Sequence, residues 1–224
     1  MRRESATIDP HTVERRPVDF PEEEFVPESE IHLIVRLFLY DLLRFVLSGR
    51  AFVGSDQFVY FDGSDAKRCV APDVYLAWGE TAPRPVRSWK TWERGTPPLC
   101  VEIDNSAVAD RDWDRKLTQY RALGVRELVY FLPEEEPGKR LRVWDRIDDD
   151  LVERAVEGDT TWCETLGMQW VVAPIEGTDV GLRLAEDRQG RRLIPSRAEA
   201  ERIARKQAEA RIAELEAELK RRAP

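Results

Sequence analysis

The stretch LCVEIDNSAVADRDWDRKLTQYRALGVRELVYF, residues 99–131, decides the fold. LCVEID (99–104) reads as a strand, DRDWDRKLTQYRALG (110–124) as a helix stopped by Gly124, and ELVYFLP (127–133) as a second strand. Strand alternation places Leu99, Val101 and Ile103 on one face, with Cys100, Glu102 and Asp104 on the other. On the helix, Trp113, Leu117 and Tyr120 share an inward stripe. Lys116 sits three residues after Trp113 and four before Tyr120. Its stem can follow the packed surface while its ammonium reaches toward a strand end. Two readings compete: a sheet edge followed by a solvated helix, or parts of one site.

Working upstream, Ser29 is a plausible N-cap for EIHLIVRLFLYDLLRFVLSG, a helix apolar on most of its circumference that stops at Gly49. Short candidate strands follow at AFV (51–53), QFVYF (57–61) and CVAPDVYLAW (69–78), and antiparallel pairing is expected there. Residues 79–98 hold Pro83, Pro85, Pro97 and Pro98 among charges and tryptophans and read as a long surface loop. Downstream, LRVWD, DLVERAV, MQWVVAPI and VGLRL suggest strands that extend or cover the sheet. The closing segment carries a capping-box pattern, Ser196 with Glu199. Ala208, Ile212, Leu215 and Leu219 form one apolar stripe over about two heptads. A solvated single helix is the competing account of that stripe.

The chain has 224 residues, of which 42% are hydrophobic and 35% charged, enough for one sizeable core plus appendages. Its net charge of -8 gives no broad attraction to nucleic acid or anionic membrane, so any phosphate-binding surface has to be local. Three scattered cysteines, Cys69, Cys100 and Cys163, indicate neither a disulfide framework nor a zinc knuckle, and a reducing cytoplasm is the plain inference. The most apolar segment, residues 31–47, contains Arg36, Asp41 and Arg44 and is expected to be a buried helix, not a membrane span. Residues 1–28, with four prolines among charges, read as an irregular arm without a signal-peptide core.

In CVAPDVYLAW, Asp73 and Tyr75 share a face opposite Pro72, Val74 and Leu76. If that strand neighbours LCVEID, Asp73 and Glu102 meet across the two strands. Two carboxylates with a nearby lysine are what metal-assisted phosphodiester hydrolysis requires. The carboxylates hold a hard divalent cation that activates water, and the lysine orients the water or offsets charge growing on the phosphate.

The segments APDVYLA (71–77), PPLCVEIDNS (97–106) and D-x-x-x-K-L-x-x-Y-R-A-L-G-V-R-E-L-V-Y-F (112–131) resemble the Uma-two family, restriction-endonuclease-like proteins of the PD-(D/E)xK nuclease-like superfamily. The resemblance covers roughly residues 29–185. It implies an α/β fold: a restriction-endonuclease-like mixed central sheet flanked by helices, here with an extended C-terminal helix. On it, Asp73 is the acid of the P-D element, Glu102 the second acidic ligand, Lys116 the lysine moved onto the following helix, and Tyr120 its helical companion. A magnesium ion, with manganese as a substitute, and a DNA substrate are implied with them. Where the family has L-S-P-S-T after the second acid, this chain has Asp104, Asn105, Ser106, Ala107 and Val108. Asp104 could add a third carboxylate to the metal, or repel Glu102 and raise its pKa. Three segments result: the arm over 1–28, the nuclease-like domain over 29–190, and the helix over 196–224, which could form a short coiled coil.

Around this constellation, Glu30 could supply an accessory acid, although an acid in a first helical turn is also favoured by the helix dipole. His32 reads as a packed or partly exposed histidine, and His11 belongs to the arm. Trp78, Trp89 and Trp92 flank the proline-containing loop, where they could stack on bases or close a core edge. Arg84, Arg87, Lys90 and Arg94 make that loop the best local basic patch for nucleic-acid contact, against a bland reading as solvated loop. The alternative to a metal-dependent endonuclease is a weak or inactive nuclease-like module that binds a partner, or a second copy of itself, through the C-terminal helix.

Overall fold

The computed structural model describes residues 29–79, 86–104 and 109–222. The N-terminal arm, Arg84 and the turn at 105–108 lie outside the described residues.

Helix α1 (Glu30–Val46) starts where expected, with the Ser29 hydroxyl accepting the His32 amide at 3.2 Å. It feeds β1 (Ala51–Gly54), β2 (Val59–Tyr60), β3 (Cys69–Val70) and β4 (Val74–Trp78). The expected single strand at 69–78 is therefore broken. Pro72 has no amide to donate to a ladder, and at 71–73 the chain crosses from one sheet to another. The expected loop at 79–98 contains structure as well: β5 (Trp89–Lys90) pairs parallel to β2, and the single turn α2 (Thr91–Arg94) follows. The fully buried Trp89 anchors that segment, its indole N–H donating to the Gly95 carbonyl at 2.8 Å.

The decisive stretch folds as β6 (Leu99–Ile103), α3 (Ala109–Leu123) and β7 (Glu127–Phe131). Gly124, at φ +85°, takes the left-handed position that ends α3, and its amide returns to Tyr120 O at 3.1 Å. Because α3 carries the chain back over the sheet, β6 and β7 pair in parallel. With β8 (Leu141–Ile147) and β9 (Asp150–Glu153) they complete a six-stranded mixed sheet in the order β1-β4-β6-β7-β8-β9, its other pairings all antiparallel. The remaining strands, β10 (Thr160–Cys163), β11 (Met168–Ile175) and β12 (Thr178–Ala185), form a separate antiparallel sheet. Helix α4 (Arg197–Arg222) closes the chain, and its capping box is formed: Ser196 N to Glu199 Oε2 at 2.7 Å and Glu199 N to Ser196 Oγ at 3.3 Å. The architecture is the expected α/β one, a mixed central sheet with flanking helices and a C-terminal helix.

The alternation read in LCVEID divides the interior into two cores. Leu99, Val101 and Ile103 join Val35, Leu39 and Leu43 of α1 and Trp170, Leu182 and Leu184 of the β10–β12 sheet. Cys100 joins Trp113, Tyr120 and Leu123 of α3, together with Tyr75, Tyr130 and Trp144. Each fully buried side chain of this size contributes about 1.5–3 kcal/mol, so both faces of the sheet are strongly held. The Trp113 ring stacks on Tyr130 at 3.7 Å between centroids, which fixes the first described turns of α3 over β7.

Candidate active site

Asp73 occupies the bend between β3 and β4. The β4–β6 ladder pairs Val74 with Val101, so Asp73 comes opposite Glu102, one position beyond the last rung. There its Oδ2 accepts the Ile103 amide at 2.7 Å, and the side chain ends the ladder in place of a backbone carbonyl. Its Oδ1 lies 2.9 Å from His32 Nε2 and 4.0 Å from Arg36 Nε. Arg36 also reaches Ser55 Oγ at 3.4 Å and Asp56 at 3.7 Å, tying the β1–β2 loop to this acid.

Glu102 leaves the same strand end on the α3 side and is 4% exposed. Lys116 Nζ donates to its Oε2 at 2.7 Å, and the Tyr120 hydroxyl donates to its Oε1. One helical turn supplies both donors, because residues four apart on α3 face the same strand. Asp104 follows directly, its amide bonded to Phe131 O at 3.0 Å and its Oδ2 accepting the Tyr130 hydroxyl at 3.1 Å.

These contacts set the charges. Burial pushes the Glu102 carboxyl above the usual range, Lys116 pulls it back, and the negative charge of Asp73 adds to the push; the net direction is up. For Lys116, burial disfavours the ammonium, but the Glu102 carboxylate outweighs it, with smaller help from Asp104 and Asp73, so its pKa is raised. Burial and then Glu102 hold the Tyr120 phenol well above its ordinary value. At neutral pH the site therefore presents a charged lysine and a neutral tyrosine around one buried carboxyl group.

The sequence-derived residues Asp73, Glu102, Lys116 and Tyr120 thus lie together, with Asp104 beside Lys116. Glu30 is exposed in the first turn of α1. Arg87 is exposed beside β5, Lys90 pairs with Glu93 at 3.1 Å, and the Arg94 guanidinium lies over the Trp89 ring at 5.5 Å. His32, read as a packed or partly exposed histidine, is 18% exposed and in addition lies against Asp73, while Arg36, noted only as a charge within the apolar segment, reaches the same acid. The available signal was their spacing: two polar, potentially cationic residues four apart on one face of an otherwise apolar helix.

Among the described residues no three or more His, Cys, Asp or Glu side chains converge closely enough to form a metal cage. Magnesium does not need one, since it is held through one or two carboxylates and completes its shell with water and substrate phosphate. Asp73 and Glu102, hard oxygen donors from adjacent strands that repel one another, fit that requirement.

Among solved structures, the chain is similar to the "Crystal structure of a putative nuclease belonging to DUF820 from Anabaena variabilis ATCC 29413", at 12% identity and a TM-score of 0.42 over 66% of this chain and 73% of that one. It matches no curated protein. The profile of the Uma2 family, described as "Putative restriction endonuclease", matches residues 21–176, and with that match over well more than half of its length the chain belongs to this family.

Proposed function

We propose that the protein hydrolyses DNA phosphodiester bonds at the end of β6, with a divalent cation held by Asp73 and Glu102. The observation that carries this reading is the buried Glu102 carboxyl group, gripped by Lys116 and Tyr120 directly opposite Asp73. When bound, the metal supplies a water of lowered pKa and polarises a phosphoryl oxygen. Asp73 is aimed by the Ile103 amide and by His32, so its orientation is set before any ligand arrives. Lys116, with its pKa raised, enters the reaction as a cation; it can donate to water or offset charge on the phosphate, and it is not a general base. Tyr120 stays a neutral donor and keeps the Glu102 carboxyl group turned toward the strand end. Asp104, engaged by Tyr130, stands next to Lys116 as a further carboxylate within the same charge network.

Manganese titration by calorimetry, paired with cleavage of supercoiled plasmid in magnesium or manganese, tests this. The wild type is expected to bind manganese and to nick plasmid, and both Asp73→Asn and Glu102→Ala to lose both properties. Cleavage that survives Glu102→Ala would remove the site from the chemistry.

A second reading keeps the fold and gives it a binding role. It draws on Ile212, Leu215 and Leu219 of α4, which are 56%, 44% and 69% exposed. Sedimentation equilibrium decides between the readings: a dimer that dissociates on Leu215→Glu, in a protein with no metal response, favours the binding module.

A further inference from the structure

The small sheet beside the acids carries a surface that hydrolysis does not use. Strand β2 lies between β3 and β5, and alternation sorts its neighbours. Val59, Val70 and Trp89 face inward at 0%, 7% and 0% exposure. Tyr60 stands on the opposite face, on one rung with Cys69 on one side and Lys90 on the other. Phe58, two residues before Tyr60 on that outer face, is 55% exposed with its ring centroid 6.0 Å from that of Tyr60. Trp92, just after β5, is 52% exposed.

Residues 58–68 and 86–93 carry four cations (Lys67, Arg68, Arg87, Lys90) against three acids (Asp62, Asp65, Glu93), a local excess of one on a chain whose net charge is -8, while Arg94 lies over the inward-facing Trp89 ring. The surface also abuts the acid pair. Arg36 joins Asp73 to Asp56, the Asp56 amide bonds Pro72 O at 3.0 Å, and Phe58 follows two residues later. Two extended residues span at most about 7 Å, so Phe58 follows closely along the chain from the residue that Arg36 ties to Asp73.

Resting on the nuclease reading above, we propose that Phe58, Tyr60 and Lys90 form a stacking platform for unpaired bases of single-stranded DNA. The strand presented to Asp73 and Glu102 is then a single strand or an unpaired flap. Bases in a duplex already stack on one another and offer no face to a ring on a sheet, whereas unpaired bases stack on exposed aromatics irrespective of sequence. Lys90 pairs with the exposed Glu93 and can exchange that screened contact for a backbone phosphate.

Fluorescence anisotropy of a labelled oligothymidylate in EDTA tests the platform on the full chain, with a duplex of equal length and an oligouridylate as comparisons. The single DNA strand is expected to bind more tightly than the duplex and at least as tightly as the oligouridylate. Combined Phe58→Ala and Tyr60→Ala should weaken binding about tenfold or more, and Lys90→Glu should weaken it and flatten its salt dependence. Circular dichroism and manganese binding are read on the same variants to establish that fold and site persist. Equal affinity for the duplex, tighter binding of oligouridylate, or undiminished binding by a folded Lys90→Glu protein would overturn the proposal. If the wild type bound the single strand but no manganese, the hydrolytic reading would fail while the platform stood.

Discussion

Replacing Lys116 by methionine keeps most of its apolar stem against α3 and removes only the charge beside Glu102. At 2.7 Å the ion pair is worth about 6 kcal/mol gross for an effective dielectric of about 20. That figure is not the cost of losing it. The lysine side chain is 31% exposed, so water already screens part of the attraction, and the abandoned carboxylate can take up a proton. Removing one partner of a buried pair typically costs about 3–5 kcal/mol, and the lower end applies here. The pH dependence is the sharper signature. Without Lys116 the folded-state pKa of Glu102 rises further above its unfolded value of about 4.3, so in the window between the two the native variant binds more protons than the unfolded chain. Its stability therefore falls as pH rises through that window, and the deficit relative to wild type shrinks on acidification. In the wild type, the contribution of Lys116 is fully present below its ordinary pKa and fades only as pH climbs through its raised one. Urea unfolding of both proteins between about pH 5 and about pH 8 measures this. A deficit independent of pH would mean that Lys116 and Glu102 are not coupled as described.

Three other substitutions probe neighbouring features. Tyr120→Phe leaves one oxygen of a 4% exposed carboxyl group without its donor and should cost about 1–3 kcal/mol; unchanged denaturant midpoints would argue against that bond. Arg154→Met strips the ion-pair partner from Glu127, a 1% exposed carboxylate at the start of β7 that also accepts Thr165 N at 2.9 Å, and should lower stability by about 3 kcal/mol. A thermal midpoint within a degree or so of wild type would show that Glu127 finds its compensation elsewhere. At Gly54, an added Cβ runs into the Tyr75 ring, which is itself held by a 3.0 Å bond from its hydroxyl to Gln57. Gly54→Ala should therefore destabilise by about 1–3 kcal/mol, and a neutral result in calorimetric melting would show that the ring yields freely.

What could be read in advance was what depends on local period and spacing. The two faces of LCVEID, the placement of Lys116 and Tyr120 one turn apart, the Ser29 cap and the Ser196–Glu199 box are all local, and the structure contains each of them. What escaped depends on long-range pairing. Nothing near Trp89 announces that its strand adds in parallel to β2, thirty positions earlier in the register. Nor does the sequence between Thr160 and Cys163 stand out as a strand, since β10 takes its identity from pairing with β11. The partnership of His32 with Asp73 is of the same kind. It joins the start of α1 to the bend before β4, and a helix apolar on most of its circumference conceals it.

Helix α4 has a mechanical side. Its root is clamped by several ion pairs, Arg202 to Glu176 at 2.7 Å among them. Glu199, besides closing the capping box, takes a 2.6 Å ion pair from Arg183 of β12, whose side chain is 9% exposed, and Arg197 reaches Asp41 of α1 at 3.9 Å. Beyond the root, the described side chains are almost all exposed. The 26 helical residues span about 39 Å, so α4 is a cantilever: its direction is set at the base, and the described side chains toward its far end are exposed. Anything fused or docked to its far end is held at a fixed bearing from the acid pair and at arm's length, and a bend introduced near residue 206 would swing that cargo without touching Asp73 or Glu102.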